Sequence, residues 1–216
     1  MAISKANFNS FNVTPTASKF ITFNSSNNGL AADDIGGNLK LISTTTISSS
    51  TTTVNITSGI DSTYKEYIFK FIGIHPENDT VNFSFQASTN GGSSFGTTVT
   101  TTFFLAYHTE SDSATALQYY DNRDLKQSTS EQQIVTIGNA NDDSGSGTLH
   151  LFDPSNTTFI KRFLSRMVAP TGEDTENCKD TYVGGYFNTT SAIDAIQFSM
   201  SSGNIDSGVI KMYGLS

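Results

Sequence analysis

Short runs of alternating apolar and polar residues, each bounded by Gly, Asn, Asp or Ser, recur along this chain. TVNFSFQA, GTLHLF and TYVGGYF are examples, and AIQFSMSSGNIDSGVIKMYGLS places two such runs around a polar turn. Alternation with period two is the pattern of a strand that buries one face. The chain has no apolar-periodic segments long enough for the crossover helices of a parallel sheet. The sequence therefore predicts an all-β protein with antiparallel strands.

The spacing of the turn signals predicts the architecture. Roughly nine to twelve short strands, with a turn signal about every ten residues, favour an antiparallel two-sheet sandwich of jelly-roll type, and a barrel is the alternative. The 216 residues are enough for one large domain. We predict a single β-sandwich domain at residues 39–216 and an irregular N-terminal arm or edge segment, for docking or assembly, at residues 1–38.

The N-terminal segment is rich in aromatic residues that follow no regular period. Phe8, Phe11, Phe20 and Phe23 are separated by Asn, Ser and Thr. Aromatic side chains in such a segment need a surface to pack on. Two interpretations remain open, namely an assembly arm that docks on a neighbouring subunit and the first edge strand of the same domain.

Three internal segments give more local expectations. NLKLISTTTISSSTTTVNIT predicts a hairpin or a long Thr-rich edge. After TVNFSFQAS, the dipeptide Asn90-Gly91 is a strong hairpin signal, because both residues tolerate positive φ. The polar stretch from His108 to Lys126 predicts a long loop with a short helical turn.

Charge and composition limit the partners. The net charge is -8, which argues against a nucleic-acid backbone or an anionic bilayer as partner. No run approaches about 18 apolar residues, so we expect no membrane insertion, and the N-terminus lacks the apolar core of a signal peptide, so we expect synthesis in a cytoplasm. Ser and Thr exceed a quarter of all residues, whereas charged residues are 15%. Such a surface can hydrogen-bond sugars, other subunits or water.

The sequence offers no catalytic or metal-binding motif. Cys178 is the only cysteine, and no two of the three histidines have a spacing that would place them together on one surface. Asp142-Asp143 could attract calcium, but the pair does not match the spacing of a calcium loop, and Asp is favoured in turns for its backbone hydrogen bonds. There is no G-x-S-x-G elbow and no phosphate-binding loop. We therefore expect no enzyme activity, no catalytic residues, no metal and no cofactor.

One set of aromatic residues is a candidate contact patch. Tyr119 and Tyr120 lie in the polar stretch, and Tyr107 and His108 are near its start. Exposed, these side chains could stack on a sugar ring or insert into a partner. The alternative is that the loop is held in place by burying its own tyrosines.

Several segments carry a resemblance to a known family. SKANFNSFN, YIFKFIGIHP, QASTNGGSSF, FFLAYH, GTLHLFDPSNTTFIKRF and GYFNTTSAIDAIQFSMSSGNIDSGVIKMYG resemble small virion proteins of tailed bacteriophages, especially phages of marine bacteria. The C-terminal segment is the most specific part. The resemblance implies a structural or fibre-associated component of the particle, and it carries over no catalytic residues.

Together, the residues and the resemblance lead to three hypotheses. The first is a virion structural protein, namely a tail or tail-fibre component that is exposed on the particle and contacts the host surface. Its expected partners are copies of itself, with a trimer favoured, other virion proteins, and a host-surface glycan or protein. The second is a capsid decoration or cement protein. The third, with least support, is an enzyme that degrades surface polysaccharide.

Overall fold

The computed structural model describes residues 19–23, 30–34, 38–170 and 177–215. The chain divides into two compact units, Met1–Asn38 and Leu39–Ser216. In the first unit, β1 (Lys19–Phe23) pairs antiparallel with β2 (Leu30–Asp34).

In its described part, the second unit contains twelve strands and one short 3-10 helix, Asp121–Arg123. The strands are β3 (Leu39–Ile47), β4 (Thr53–Ile56), β5 (Glu66–Pro76), β6 (Val81–Ser88), β7 (Val99–Thr109), β8 (Thr115–Tyr119), β9 (Gln132–Ile137), β10 (Gly145–Phe152), β11 (Lys161–Pro170), β12 (Asn177–Phe187), β13 (Ala195–Met200) and β14 (Ile205–Leu215).

Eight of these strands form a jelly roll. One four-strand group has the order β3-β14-β5-β10, and the facing sheet has the order β4-β13-β6-β9. Numbered one to eight along the chain, these strands run 1-8-3-6 and 2-7-4-5, which is the order produced by two Greek keys folded over one core. All their ladders are antiparallel. The predicted all-β sandwich of jelly-roll type is confirmed.

Two inserted hairpins widen only one of the sheets. The hairpin β11–β12 follows β10, and the hairpin β7–β8 lies between β6 and β9 in sequence. Because β12 pairs with β7, the two insertions join edge to edge, and the sheet becomes β3-β14-β5-β10-β11-β12-β7-β8. The result is an eight-stranded sheet opposite a four-stranded one.

The core lies between the two sheets and is strongly aromatic. Phe69 and Phe71 of the larger sheet meet Phe198 of the smaller one, with ring centroids 5.6 and 5.1 Å apart. Under the inserted strands, Phe85 contacts Phe163 edge to face at 5.1 Å. Such pairs add to the burial of large apolar side chains. The alternation of TVNFSFQA predicted a strand with one buried face, and Phe83 and Phe85 of β6 are buried.

Two hairpin predictions are wrong, because the strands they join lie in different sheets, whereas the alternative of a Thr-rich edge for NLKLISTTTISSSTTTVNIT is confirmed. Asn90-Gly91 does form a turn, with φ of +69° at Gly91, but β6 and β7 do not pair. Likewise β3 and β4 do not form a hairpin, although each is an edge strand of its sheet. In a jelly roll many connections cross between sheets, so a local turn signal does not determine the pairing partner.

The polar stretch from His108 to Lys126 contains strand β8, which the sequence did not predict. Residues 115–119 pair with β7, and the only helical structure described there is the 3-10 turn. Strand β8 is an edge strand with exposed side chains, so it lacks the alternation that burial of one face would impose.

Candidate functional site

The two sheets differ in the chemistry of their outward surfaces. On the four-stranded sheet the outward side chains are mainly amides and hydroxyls that bond one another. Gln197 Nε2 donates to Asn55 Oδ1 at 2.8 Å, and Thr136 Oγ1 donates to Asn82 Oδ1 at 2.9 Å. None of the exposed large hydrophobic side chains of the described residues lies on this face. It is a surface suited to water.

The outward surface of the eight-stranded sheet, by contrast, is apolar, and we call this surface the outer face. Nine large hydrophobic side chains are exposed in the described part of the chain, and the ladder registers place eight of them here. The ninth, Phe159, lies in the loop before β11. The eight are Leu39, Leu41, Ile72, Phe104, Leu117, Tyr119, Leu164 and Val168. Large exposed apolar surfaces of this kind mark interaction sites.

A cross-strand ladder runs across four strands of the outer face. Arg166 on β11 is opposite Tyr182 on β12, which is opposite Phe104 on β7, which is opposite Tyr119 on β8. The Tyr182 and Phe104 rings stack in parallel with centroids 4.9 Å apart, and the Arg166 guanidinium lies 5.0 Å from the Tyr182 centroid. Cross-strand aromatic and cation-π pairs stabilise the order of these strands.

Asp180 fixes the polar end of the ladder. Its carboxylate accepts two hydrogen bonds from Arg166, at 3.0 Å from Nε and 2.7 Å from Nη2, and a third from the Tyr182 hydroxyl at 3.1 Å. The hydrogen bonds to Asp180 raise the pKa of Arg166. Burial, followed by the hydrogen bond to Asp180, raises the pKa of Tyr182. Both groups therefore keep their charge states at neutral pH.

Beside the ladder lies a groove of ≈ 530 Å³, which we call the aromatic groove. Gly184, opposite Leu164 and Thr102, leaves its floor without a side chain. The volume is in the range of ligand and side-chain pockets. The lining is mostly apolar and includes Phe104, Tyr182, Leu164, His150, Phe152, Thr102 and Thr148.

The far wall of the groove carries a hydrogen-bonded histidine. His150 Nδ1 lies 2.6 Å from Glu66 Oε1, and the imidazole stacks on the Phe152 ring with centroids 6.3 Å apart. These contacts hold the His150 ring in one orientation. These contacts within the chain therefore fix this wall of the groove, and the stacked ladder likewise fixes the opposite wall.

The outer face does not share the acidity of the chain. Its strands point four cationic side chains outward, Lys70, Arg162, Arg166 and Lys211, against two carboxylates, Glu66 and Asp180. Two further carboxylates, Asp124 and Asp112, contact Tyr119 and His108 of this face, so its positive and negative charges are close to balance, whereas the whole chain has -8. The outer face is therefore less acidic than the chain as a whole.

The structure divides the four predicted contact residues between two sides of the sheet. Tyr119 and His108 are exposed on the outer face, and Tyr119 is part of the ladder, its hydroxyl bonded to Asp124. Tyr107 and Tyr120 are half-buried and pack against the core. Tyr120 meets the Phe103 ring at 6.3 Å. The four residues therefore do not form one patch.

Sequence reasoning missed most of the outer face, although a signal was present. FFLAYH places aromatic residues in both phases of the alternation, and so does YKEYIFKFIGI, where Ile68 and Ile72 fall opposite the core residues. Apolar residues in both phases mean that both faces of a strand are apolar. The ladder partners Tyr182 and Phe104 come from segments 78 positions apart, so their meeting could not be predicted.

The predicted assembly arm is only partly described. Phe8 and Phe11 lie outside the described residues. Phe20 and Phe23 are in β1, where they pair with Asp33 and Leu30 of β2. The arm's role in docking stays a prediction.

The predicted polar candidates are dispersed. His75, His108 and His150 approach different carboxylates, Asp206, Asp112 and Glu66 respectively. Within the described ranges, no three His, Cys, Asp or Glu side chains are arranged to hold a metal ion. Asp142 and Asp143 line a separate cleft of ≈ 370 Å³.

In the part of the chain that the structure describes, no helix is long and apolar enough to cross a membrane. Comparisons of the chain with protein-family models, with curated proteins and with solved structures found no match.

Proposed function

We propose that this protein is a structural component of the virion of a tailed bacteriophage, carried on the outside of the particle in the tail or its fibres. In this proposal the outer face is the surface through which the protein assembles, and host contact is made by other parts of the exposed surface. The resemblance of the sequence segments to small phage virion proteins supports the assignment to a virion.

The observation that carries the proposal is the segregation of exposed apolar side chains onto one widened sheet. Eight strands are enough for a jelly-roll core, yet two further hairpins extend one sheet, and the ladder and groove lie on the added strands and their neighbour β10. A jelly roll with an additional binding face suits an assembly component, since capsid proteins and lectins use the same architecture.

Immunogold labelling of purified particles tests the proposal. An antibody raised against this protein is applied to particles of the phage that encodes it, and antibody pre-adsorbed with the purified protein is the control. We expect gold on the tail or fibres. Particles that stay unlabelled, although the protein is found in infected cells, would refute an exposed virion component.

A capsid decoration protein is the second candidate. Leu164 and Val168 are aliphatic, and they are 56% and 40% exposed at the centre of the outer face. Aliphatic side chains suit another protein surface better than a sugar ring. Gold distributed over the head, with a copy number that follows capsid symmetry, would favour decoration over the tail.

A further inference from the structure

We infer that the occupant of the outer face is a second copy of this chain, related by a twofold axis. The inference deepens the proposed function, on which it rests, by naming the partner of the assembly surface. Three properties of the described residues lead to it. They are the location of the exposed apolar side chains, the area of the outer face, and the presence on that face of both a protruding side chain and a groove that could receive it.

The first property is the distribution of apolar surface. A partner that covers the outer face must offer apolar surface of its own. Among the described residues of a second copy, that surface lies on the same face, because Phe159 is the one large hydrophobic side chain that they expose elsewhere. Contact between two copies is therefore face to face, which is the isologous contact of a twofold dimer.

The second property is area. Eight strands at about 4.8 Å spacing, each about 25 Å long, give a face of roughly 1,000 Å². A stable interface of standard size needs about 800 Å² from each partner. One outer face is thus large enough to hold a second copy without help from another surface.

The third property is self-complementary relief. Leu117 on β8 is 74% exposed and forms a knob, while the aromatic groove above Gly184 forms a hole. The two lie roughly 16 Å apart, across two strand spacings of about 4.8 Å and four residues of about 3.3 Å each. A twofold axis in the interface, midway between them, brings each Leu117 over the groove of the other copy.

Charge permits this approach. Two whole chains of -8 each repel, but two outer faces whose charges are close to balance do so only weakly, and Arg166 and Asp180 already neutralise one another at 2.7 Å. The sequence-based expectation was a trimer. A ring of three requires two different surfaces to meet, and the described chain has one apolar face.

Sedimentation velocity of the full chain gives the direct test, at about 1 to 100 µM, where micromolar affinities become visible. We expect a dimer of 46.4 kDa, which is twice 23.2 kDa. Leu164→Asp, Leu117→Ser and Gly184→Val each change the outer face differently, by adding a charge, removing the knob and filling the hole. Each should weaken the dimer at least about tenfold.

Asn55→Asp is the matched control. It adds the same charge as Leu164→Asp, but on the outward surface of the opposite, four-stranded sheet. It also keeps the side-chain oxygen that accepts a hydrogen bond from Gln197 Nε2. We expect it to leave the dimer intact. Raising the salt from about 0.15 to about 1 M, which shortens the screening length to about 3 Å, should not dissociate an apolar contact.

Several results would overturn the inference. They are a wild-type chain that stays monomeric throughout, a trimer, a dimer that salt dissociates, and a dimer that Asn55→Asp weakens as much as Leu164→Asp. Circular dichroism of each variant shows whether it is folded. Gold labelling of particles separates the two proposals, because a monomer that still labels the virion refutes the twofold contact but not the proposed function.

Discussion

The neighbouring glycines Gly184 and Gly185 of β12 provide a sharp test of the fold, because they face opposite sides of the eight-stranded sheet. Gly184 is on the outer face, at the floor of the aromatic groove, and Gly185 points into the core. Neither has a positive φ, so alanine is allowed at both positions by the backbone. Only the space around the added methyl group differs.

At Gly185 the space is absent. A Cβ atom there would lie 2.6 Å from the Thr100 carbonyl oxygen and 2.7 Å from Cζ of Phe163, which is 1% exposed. Neither the carbonyl of a paired strand nor a core ring can move freely. Overpacking of this kind costs typically 1–3 kcal/mol, occasionally more, and we expect Gly185→Ala to lose about 3 kcal/mol. For a chain of this length, that is a fall in Tm of roughly 6–12 °C.

At Gly184 the same methyl group fits. Its Cβ would lie 3.4 Å from Leu164 Cδ2 and 3.7 Å from Thr102 Cγ2, which are ordinary contacts. Alanine also restricts the unfolded chain, which stabilises the folded state by about 0.4–1 kcal/mol where the conformation suits it. Gly184→Ala should therefore raise Tm by roughly 1–4 °C.

Thermal unfolding followed by circular dichroism, together with urea unfolding for the free energy, measures both variants against the wild type. The important quantity is the difference between the two variants, about 3–4 kcal/mol. Equal stabilities, or the reverse order, would refute the register of β12, since a slip of one residue exchanges the two faces of a strand.

Two further substitutions test buried polar groups. Tyr67→Phe should lower the free energy of unfolding by about 1–3 kcal/mol, because the buried Tyr67 hydroxyl accepts from Asp61 N at 2.9 Å, and an unchanged urea midpoint would contradict this. Lys161 is fully buried, its Nζ donating to the Phe159 carbonyl at 2.8 Å, and burial lowers its pKa below the usual 10.5. The unfolded chain therefore binds this proton more tightly than the folded chain does. As the pH rises from about 8 towards about 10, the free energy of unfolding of the wild type should increase relative to that of Lys161→Met, and a difference that stays constant with pH would contradict this.

The core could be predicted from the sequence because burial of one face leaves a local signature. Tyr67, Phe69 and Phe71 alternate with Ile68 and Lys70, and the structure buries the first three. The same reasoning failed at β8, because an edge strand exposed to solvent has no face that burial must keep apolar. Local alternation therefore reports burial, and only indirectly the presence of a strand.

The pairing of strands, and with it the candidate site, could not be predicted in this way. The turn at Asn90-Gly91 has the residues of a hairpin, yet the next strand belongs to the other sheet. The ladder depends on such pairings: Arg166 meets Tyr182 within one hairpin, but Tyr182 meets Phe104 across 78 positions of sequence. The rows of side chains across a sheet follow from long-range register, which no single segment encodes.

The outer face is built directly on the core, and this explains how it can be both apolar and ordered. Phe104 and Tyr182 alternate with Phe103 and Val183, which are fully or almost fully buried on the inner side of the same strands. Because β7 joins the sheet through β12, the ladder stabilises the attachment of one insertion to the other. Its side chains are already held by stacking and by Asp180, so pairing with a second copy would cost little additional side-chain entropy. The contacts that order the face in one chain therefore also favour its association with another.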